Sequence, residues 1–227
     1  MRRNYWVVVA SALVIGVVTG CSDTLVSPAA APSAAPVSML LAPSGAPSLS
    51  LSGDEVENGS STFTVSPWGG VYFVGNHAVY FPARSICDPE TSSYGDGTWD
   101  DACSPLTRSI TITARVSTMD GAQAVDFTPE LRFVPSASAS RSVWIFMYTP
   151  EARGAHDLSQ FNILFASTLG AQPENDAAAD ASLRTYVDTR SGVSFRRIKH
   201  FSGYIVASGK QCDPLIDMNC TSTPPTP

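Results

Sequence analysis

The chain has 227 residues, with 14 Lys and Arg against 20 Asp and Glu. Its first 20 residues hold Arg2, Arg3 and no acid, so 12 basic and 20 acidic side chains follow, a balance of −8. That excess excludes generic phosphate binding, and with it a nucleic-acid partner, because such binding needs clustered Lys or Arg. The one basic cluster, Arg196-Arg197 with Lys199, is expected as a solvated strand edge.

The first element in chain order is a leader. Arg2 and Arg3 open it, an apolar stretch covers residues 5–18, and Val18-Thr19-Gly20 precedes Cys21. A basic start, a short apolar middle and small residues before a cysteine make up a bacterial lipoprotein signal. The apolar stretch is shorter than the ~20 residues a membrane span needs, so cleavage before Cys21 and acylation of that cysteine are expected. Ser22 rather than Asp after the cysteine, by resemblance to diderm sorting rules, directs the chain to the outer membrane. The expected location is therefore the cell envelope, lipid-anchored at Cys21, facing the periplasm or the cell surface.

Residues 21–60 follow as the acylated cysteine and a Ser/Ala/Pro-rich linker, clearest at Ser27-Pro28-Ala29-Ala30-Ala31-Pro32. Such a composition cannot bury enough apolar surface to offset its ordering entropy, so it reads as a disordered tether. Leu49-Ser50-Leu51 is an apolar island that could supply a leading edge strand.

From residue 61 the pattern changes to short β-type runs at 71–74, 78–81, 110–116, 125–133, 143–148, 161–165, 193–201 and 204–207, with Gly, Pro and Asp between them. Residues 110–116 alternate strictly, as a strand with one buried face requires. Residues 143–148, Val-Trp-Ile-Phe-Met-Tyr, do not alternate, which predicts a central strand covered on both faces. Residues 176–183 are Ala-rich and read as a brief helix or a loop. The expected architecture is one all-β, Ig-like antiparallel sandwich over 61–211, followed by a Pro-rich tail over 212–227.

Four cysteines remain after Cys21, and an even number in an exported chain reads as two disulfides. Three pairings are possible; local closure favours Cys87 with Cys103 and Cys212 with Cys220. The first is expected to contribute about 3 kcal/mol by constraining the unfolded chain. Zinc is disfavoured, because there is no Cys-x-x-Cys and no His near any of the four in sequence.

Gly69-Gly70-Val71, Phe81-Pro82-Ala83, Ile110-Thr111-Ile112 and His200-Phe201-Ser202-Gly203-Tyr204 occur in that order. Together they resemble a ZU-five domain, the β-sandwich module of ankyrins and netrin receptors, over residues 66–209. The pattern is also similar to uncharacterised bacterial lipoproteins ending in a His-Phe-Ser-Gly-Tyr strand. Two departures are visible: Phe81-Pro82-Ala83-Arg84-Ser85 replaces the family's Pro-Pro-Gly-Ala turn, and the segment between Cys87 and Cys103 is inserted after it. The resemblance implies that His200-Phe201-Ser202 could be a self-cleavage site. Ser202 Oγ would attack the Phe201 carbonyl, His200 would take the proton, and water would open the ester. The expectation is nevertheless an intact terminal strand, because that chemistry needs a strained peptide.

The segment between the first two cysteines holds Asp88, Glu90, Asp96, Asp100 and Asp101. Asp96, Asp100 and Asp101 invite a calcium reading, but the spacing is not that of an EF-hand and a solvated acidic loop is preferred. Tyr94 and Trp99 are candidate anchors for a protein or glycan partner; Trp99 could equally tuck over the sandwich. His77 is expected in a turn or at the surface, and His156 has no acid partner motif. No nucleophile elbow, phosphate loop, His-Glu-x-x-His or dinucleotide fingerprint is present. No cofactor is expected. The predicted function is an anchored binding or structural module without substrate turnover; the alternative is a domain that cuts itself once between Phe201 and Ser202.

Overall fold

The computed structural model describes residues 44–49, 51, 59–119, 122–168 and 171–208. The leader, Cys21, most of the linker, the pair Cys212 and Cys220, and the C-terminal tail lie outside them. Among the described residues ten strands form: β1 (Gly59–Val65), β2 (Gly70–Val74), β3 (His77–Phe81), β4 (Ile110–Met119), β5 (Ala122–Thr128), β6 (Val143–Tyr148), β7 (Phe161–Ala166), β8 (Tyr186–Asp188), β9 (Val193–Ile198) and β10 (Gly203–Ser208). They make two five-stranded sheets, β1-β4-β5-β10-β7 and β2-β3-β6-β9-β8, with every pair antiparallel. The all-β sandwich expected from the strand pattern is what forms.

The inner faces bury Ile112, Ala114 and Val116 of β4, Val125 and Phe127 of β5, Val143, Ile145 and Met147 of β6, and Tyr204 and Val206 of β10. The outer face of the first sheet is polar; Thr62 and Thr64 of β1 lie 3.2 and 3.3 Å, oxygen to oxygen, from Thr113 and Thr111 of β4. One buried face and one wet face account for the alternation in β4.

The second sheet has no wet centre. All six residues of β6 are buried, and it sits mid-sheet between β3 and β9. Its outward Trp144, Phe146 and Tyr148 join Phe195 and Tyr186 in a second cluster, over which Ala46, Leu49 and Leu51 pack. Leu51, expected in a tether or a leading edge strand, is buried against that cluster and is not in a strand. A short apolar island suffices, because what the outer face of β6 needs is a cover, not another ladder.

Two glycine-marked turns shape the path through β2 and β3. Gly69 (φ +75°) lets β2 leave its turn where a Cβ would lie 2.1 Å from the Phe81 carbonyl oxygen. Gly75 (φ +59°) opens the two-residue turn between β2 and β3, the sign a II′ hairpin takes at that position.

Two long predicted strands form over only part of their runs. The run 125–133 ends as β5 at Thr128, because Pro129 has no N–H for the ladder. Beyond it, Phe133 bridges Ile86 and Arg132 bridges His200. The run 193–201 ends as β9 at Ile198, and residues 199–202 carry the chain from the second sheet to β10 in the first. At 176–183 there are two single 3₁₀ turns, Asp176–Ala178 and Ala181–Leu183. β1 and β8 are additional to the predicted strands.

Candidate functional site at the sheet crossover

His200-Phe201-Ser202 is the segment that changes sheets. Extended chain turns alternate side chains to opposite sides. Phe201 therefore enters the core, stacked on Phe127 at 4.1 Å between ring centroids and edge-on to Phe133 at 4.9 Å. His200 and Ser202 face the other way, under the loop closed by Cys87 and Cys103. That disulfide forms, with a Cα–Cα distance of 5.6 Å.

The loop is fastened to the crossover through Tyr94, Trp99 and Asp100, and to flanking residues through Arg132 and Arg108. The Tyr94 phenol donates to the Phe201 carbonyl oxygen. Arg132 Nη1 donates to the carbonyl oxygens of Thr98 and Asp101. The Trp99 indole stacks on the His200 ring at 4.0 Å and 26°. Lys199 Nζ contacts both Asp100 oxygens at 2.7 Å, and Arg108 holds Asp88 and Glu90 at 3.2 and 2.7 Å. Trp99 is thus tucked onto the sandwich, and the loop is a fixed cap.

His200 is enclosed by Trp99, by Phe165 at 4.7 Å edge-on, and by Tyr204, whose hydroxyl donates to the His200 carbonyl at 2.6 Å. Burial, with the positive charges of Arg196 and Lys199, lowers its pKa to about 3. The ring is neutral at physiological pH and a weak base, and its Nδ1 has no hydrogen-bond partner. Burial and the charge of Glu130 push the Tyr94 phenol up to about 12, so it keeps the proton it donates. Ser202 Oγ is buried beside that phenol; with the phenol hydrogen committed to Phe201, Oγ forms no hydrogen bond of good geometry. The site thus polarises the Phe201 carbonyl and places a hydroxyl next to it, but supplies a poor base. Among the described residues, positive φ angles and the cis bond, Thr128–Pro129, all lie away from residues 199–203.

The other sequence candidates fall as follows. Asp96 and Asp101 are exposed, Asp100 is engaged by Lys199, and among the described residues no three His, Cys, Asp or Glu side chains form a metal-binding group. His156 is exposed. His77, expected at the surface, is buried at the start of β3, where Nδ1 accepts from the Tyr148 N–H at 3.0 Å; burial lowers its pKa to about 4.

The basic cluster corrects another expectation. Instead of a solvated edge, Arg196 is fully buried on β9, an interior strand of its sheet. The burial is tolerated because each of its three nitrogens has a partner inside: Nη2 pairs with Asp176 at 2.6 Å, Nη1 donates to the Ile163 carbonyl at 2.7 Å and Nε to the Arg197 carbonyl at 3.1 Å. Arg197 lies over Trp144, 5.6 Å from its ring centroid. Lys199 sits between Asp100 and Asp180, at 2.7 and 2.8 Å. Burial opposes but hydrogen bonds from Lys199 and Ser182 prevail on Asp180, whose pKa falls to about 2.

Arg132, Asp176 and Asp180 were not singled out by sequence. Arg132 had a readable signal, a lone cation inside the apolar run Leu131-Arg132-Phe133. Asp176 and Asp180 had none, since their partners lie 20 and 19 residues away in a different element. Compared with protein-family models, curated proteins and solved structures, the chain matches none.

Proposed function

We propose that this chain is a lipid-anchored protein of the bacterial cell envelope whose ZU-five-like sandwich serves as a binding or structural module and turns over no substrate. The observation that carries the proposal is the closed Cys87–Cys103 loop in a chain that opens with a lipoprotein-type leader. Structural disulfides persist in oxidising compartments, and the leader directs the chain to one. Acylation at Cys21 provides the anchor, and several acyl chains make release negligible at about 0.8 kcal/mol per buried methylene. The outer membrane is the assigned membrane, from Ser22. Metabolic labelling with a tagged fatty acid tests the anchor: label in the membrane fraction, lost in Cys21→Ser, is expected. Wild-type protein recovered soluble and unlabelled overturns it.

The bond from the Tyr94 phenol to the Phe201 carbonyl oxygen favours one second reading, self-cleavage before Ser202. That phenol is a donor where negative charge would develop on an attacked carbonyl. The depressed basicity of His200 weighs against it, and an intact chain is the expected state. Intact-mass spectrometry after denaturation decides the matter. A 26-residue fragment beginning at Ser202, absent from Ser202→Ala, establishes the cut.

A further inference from the structure

Beside the crossover runs a groove of about 550 Å³, between the segment 133–137 and the 3₁₀ turn Ala181–Leu183. That size is within the range of small-ligand sites. Val143 and Ile198 contribute to its apolar lining, and the hydroxyl-bearing residues Ser136 and Ser182 stand along it.

Its charged groups are unevenly satisfied. Lys199 is held by Asp100 and Asp180, so that trio carries one net negative charge and its cation is fully engaged. Arg197 is different. Its guanidinium rests over the Trp144 ring, Nη1 reaches only the Ala137 carbonyl at 3.4 Å, and Nε is shielded from solvent with no acceptor. Among the described residues no carboxylate pairs with it.

A guanidinium packed on an aromatic face is already ordered, and its planar N–H donors match the two oxygens of a carboxylate. In the same groove, the Asp100 side chain is 76% exposed, and a carboxylate has about four acceptor positions, so lone pairs on its oxygens remain for hydroxyl donors after Lys199 is served. The groove therefore offers Arg197 to an anion and its carboxylates to hydroxyl groups. A phosphate dianion offers a single hydroxyl and brings twice the charge of a carboxylate towards Asp100 and Asp180.

We infer that this groove binds an acidic saccharide, its carboxylate on Arg197 and its hydroxyls on Asp100 and Asp180. The inference rests on the proposal that the sandwich is a binding module, and names the ligand class.

Calorimetric titration of the full-length protein in detergent tests it, with trigalacturonic acid, its methyl ester and inorganic phosphate as probes. Trigalacturonic acid is expected to bind, the uncharged ester at least about ten-fold more weakly, and phosphate no better than the ester. Arg197→Gln should weaken the acid about ten-fold without changing the ester, and Arg197→Lys, which keeps charge but loses the fork, should fall between. Unchanged near-ultraviolet circular dichroism in both variants certifies the fold. Equal binding of acid and ester, indifference to both variants, phosphate binding as tightly as the trisaccharide, or no heat with any probe overturns the inference. Fatty-acid labelling at Cys21 reads the anchor independently of all these outcomes.

Discussion

Arg196 Nη2 lies 2.6 Å from Asp176 Oδ2, and the arginine side chain is wholly buried while the aspartate is 23% exposed. The same guanidinium donates to the Ile163 carbonyl on β7. A side chain of the second sheet is thereby bonded to an edge strand of the first and to the turn that follows it, which closes the sandwich on that side.

Asp176→Ala should therefore destabilise the domain by about 3 kcal/mol, because it leaves a buried guanidinium without its counter-charge. Arg196→Met combined with Asp176→Ala should cost less than the sum of the single changes, since the double variant buries no unpaired charge. Urea denaturation of the four proteins measures this. Additive losses would mean the pair is not coupled.

Removing the disulfide with Cys87→Ala and Cys103→Ala should cost about 3 kcal/mol, the chain-entropy value for a loop of this length. The stack of Trp99 on His200 should loosen with it, shifting tryptophan emission to longer wavelength. Full retention of the wild-type spectrum would show that Arg132, Tyr94 and Lys199 hold the cap without covalent help.

His200 and His77 have pKa values lowered to about 3 and about 4 from 6.5. Between those values and 6.5 the unfolded chain binds protons that the folded protein does not, so stability rises with pH across that window. It is fully present above 6.5 and is lost as pH falls towards 4 and then 3. Asp180, held to about 2, loses its contribution only at lower pH, from 3.8 downwards. His200→Phe should flatten the limb between pH 6.5 and 4 in denaturation midpoints. An unchanged limb would mean His200 titrates normally.

On edge strand β2, Val71 and Phe73 are 41% and 59% exposed, and nearby Trp68 is 81% exposed. An uncharged strand edge with outward apolar residues favours association between copies. Phe73→Lys should lower the aggregated fraction on concentration, seen by light scattering, with stability changed by no more than about 0.5 kcal/mol. Equal scattering from both proteins would acquit this edge.

The sequence alone determined what depends on local pattern. The alternation over 110–116 specified a half-buried strand, the unbroken apolar run over 143–148 a central one, and the spacing of Cys87 and Cys103 a bridge across one loop. Each of these is settled by neighbours in the chain. Tertiary structure decided what depends on partners far apart. Arg196 and His77 read as surface residues, because a charge or an imidazole is costly to bury unless acceptors and donors wait there, and those come from Asp176, Ile163 and Tyr148 on other elements. The chain cannot announce that residues 199–202 cross between sheets either. One β-type run spans β9 and the crossover, and only the separate partners of each, β6 and β8 for β9, Leu131 and Phe133 for the crossover, divide it.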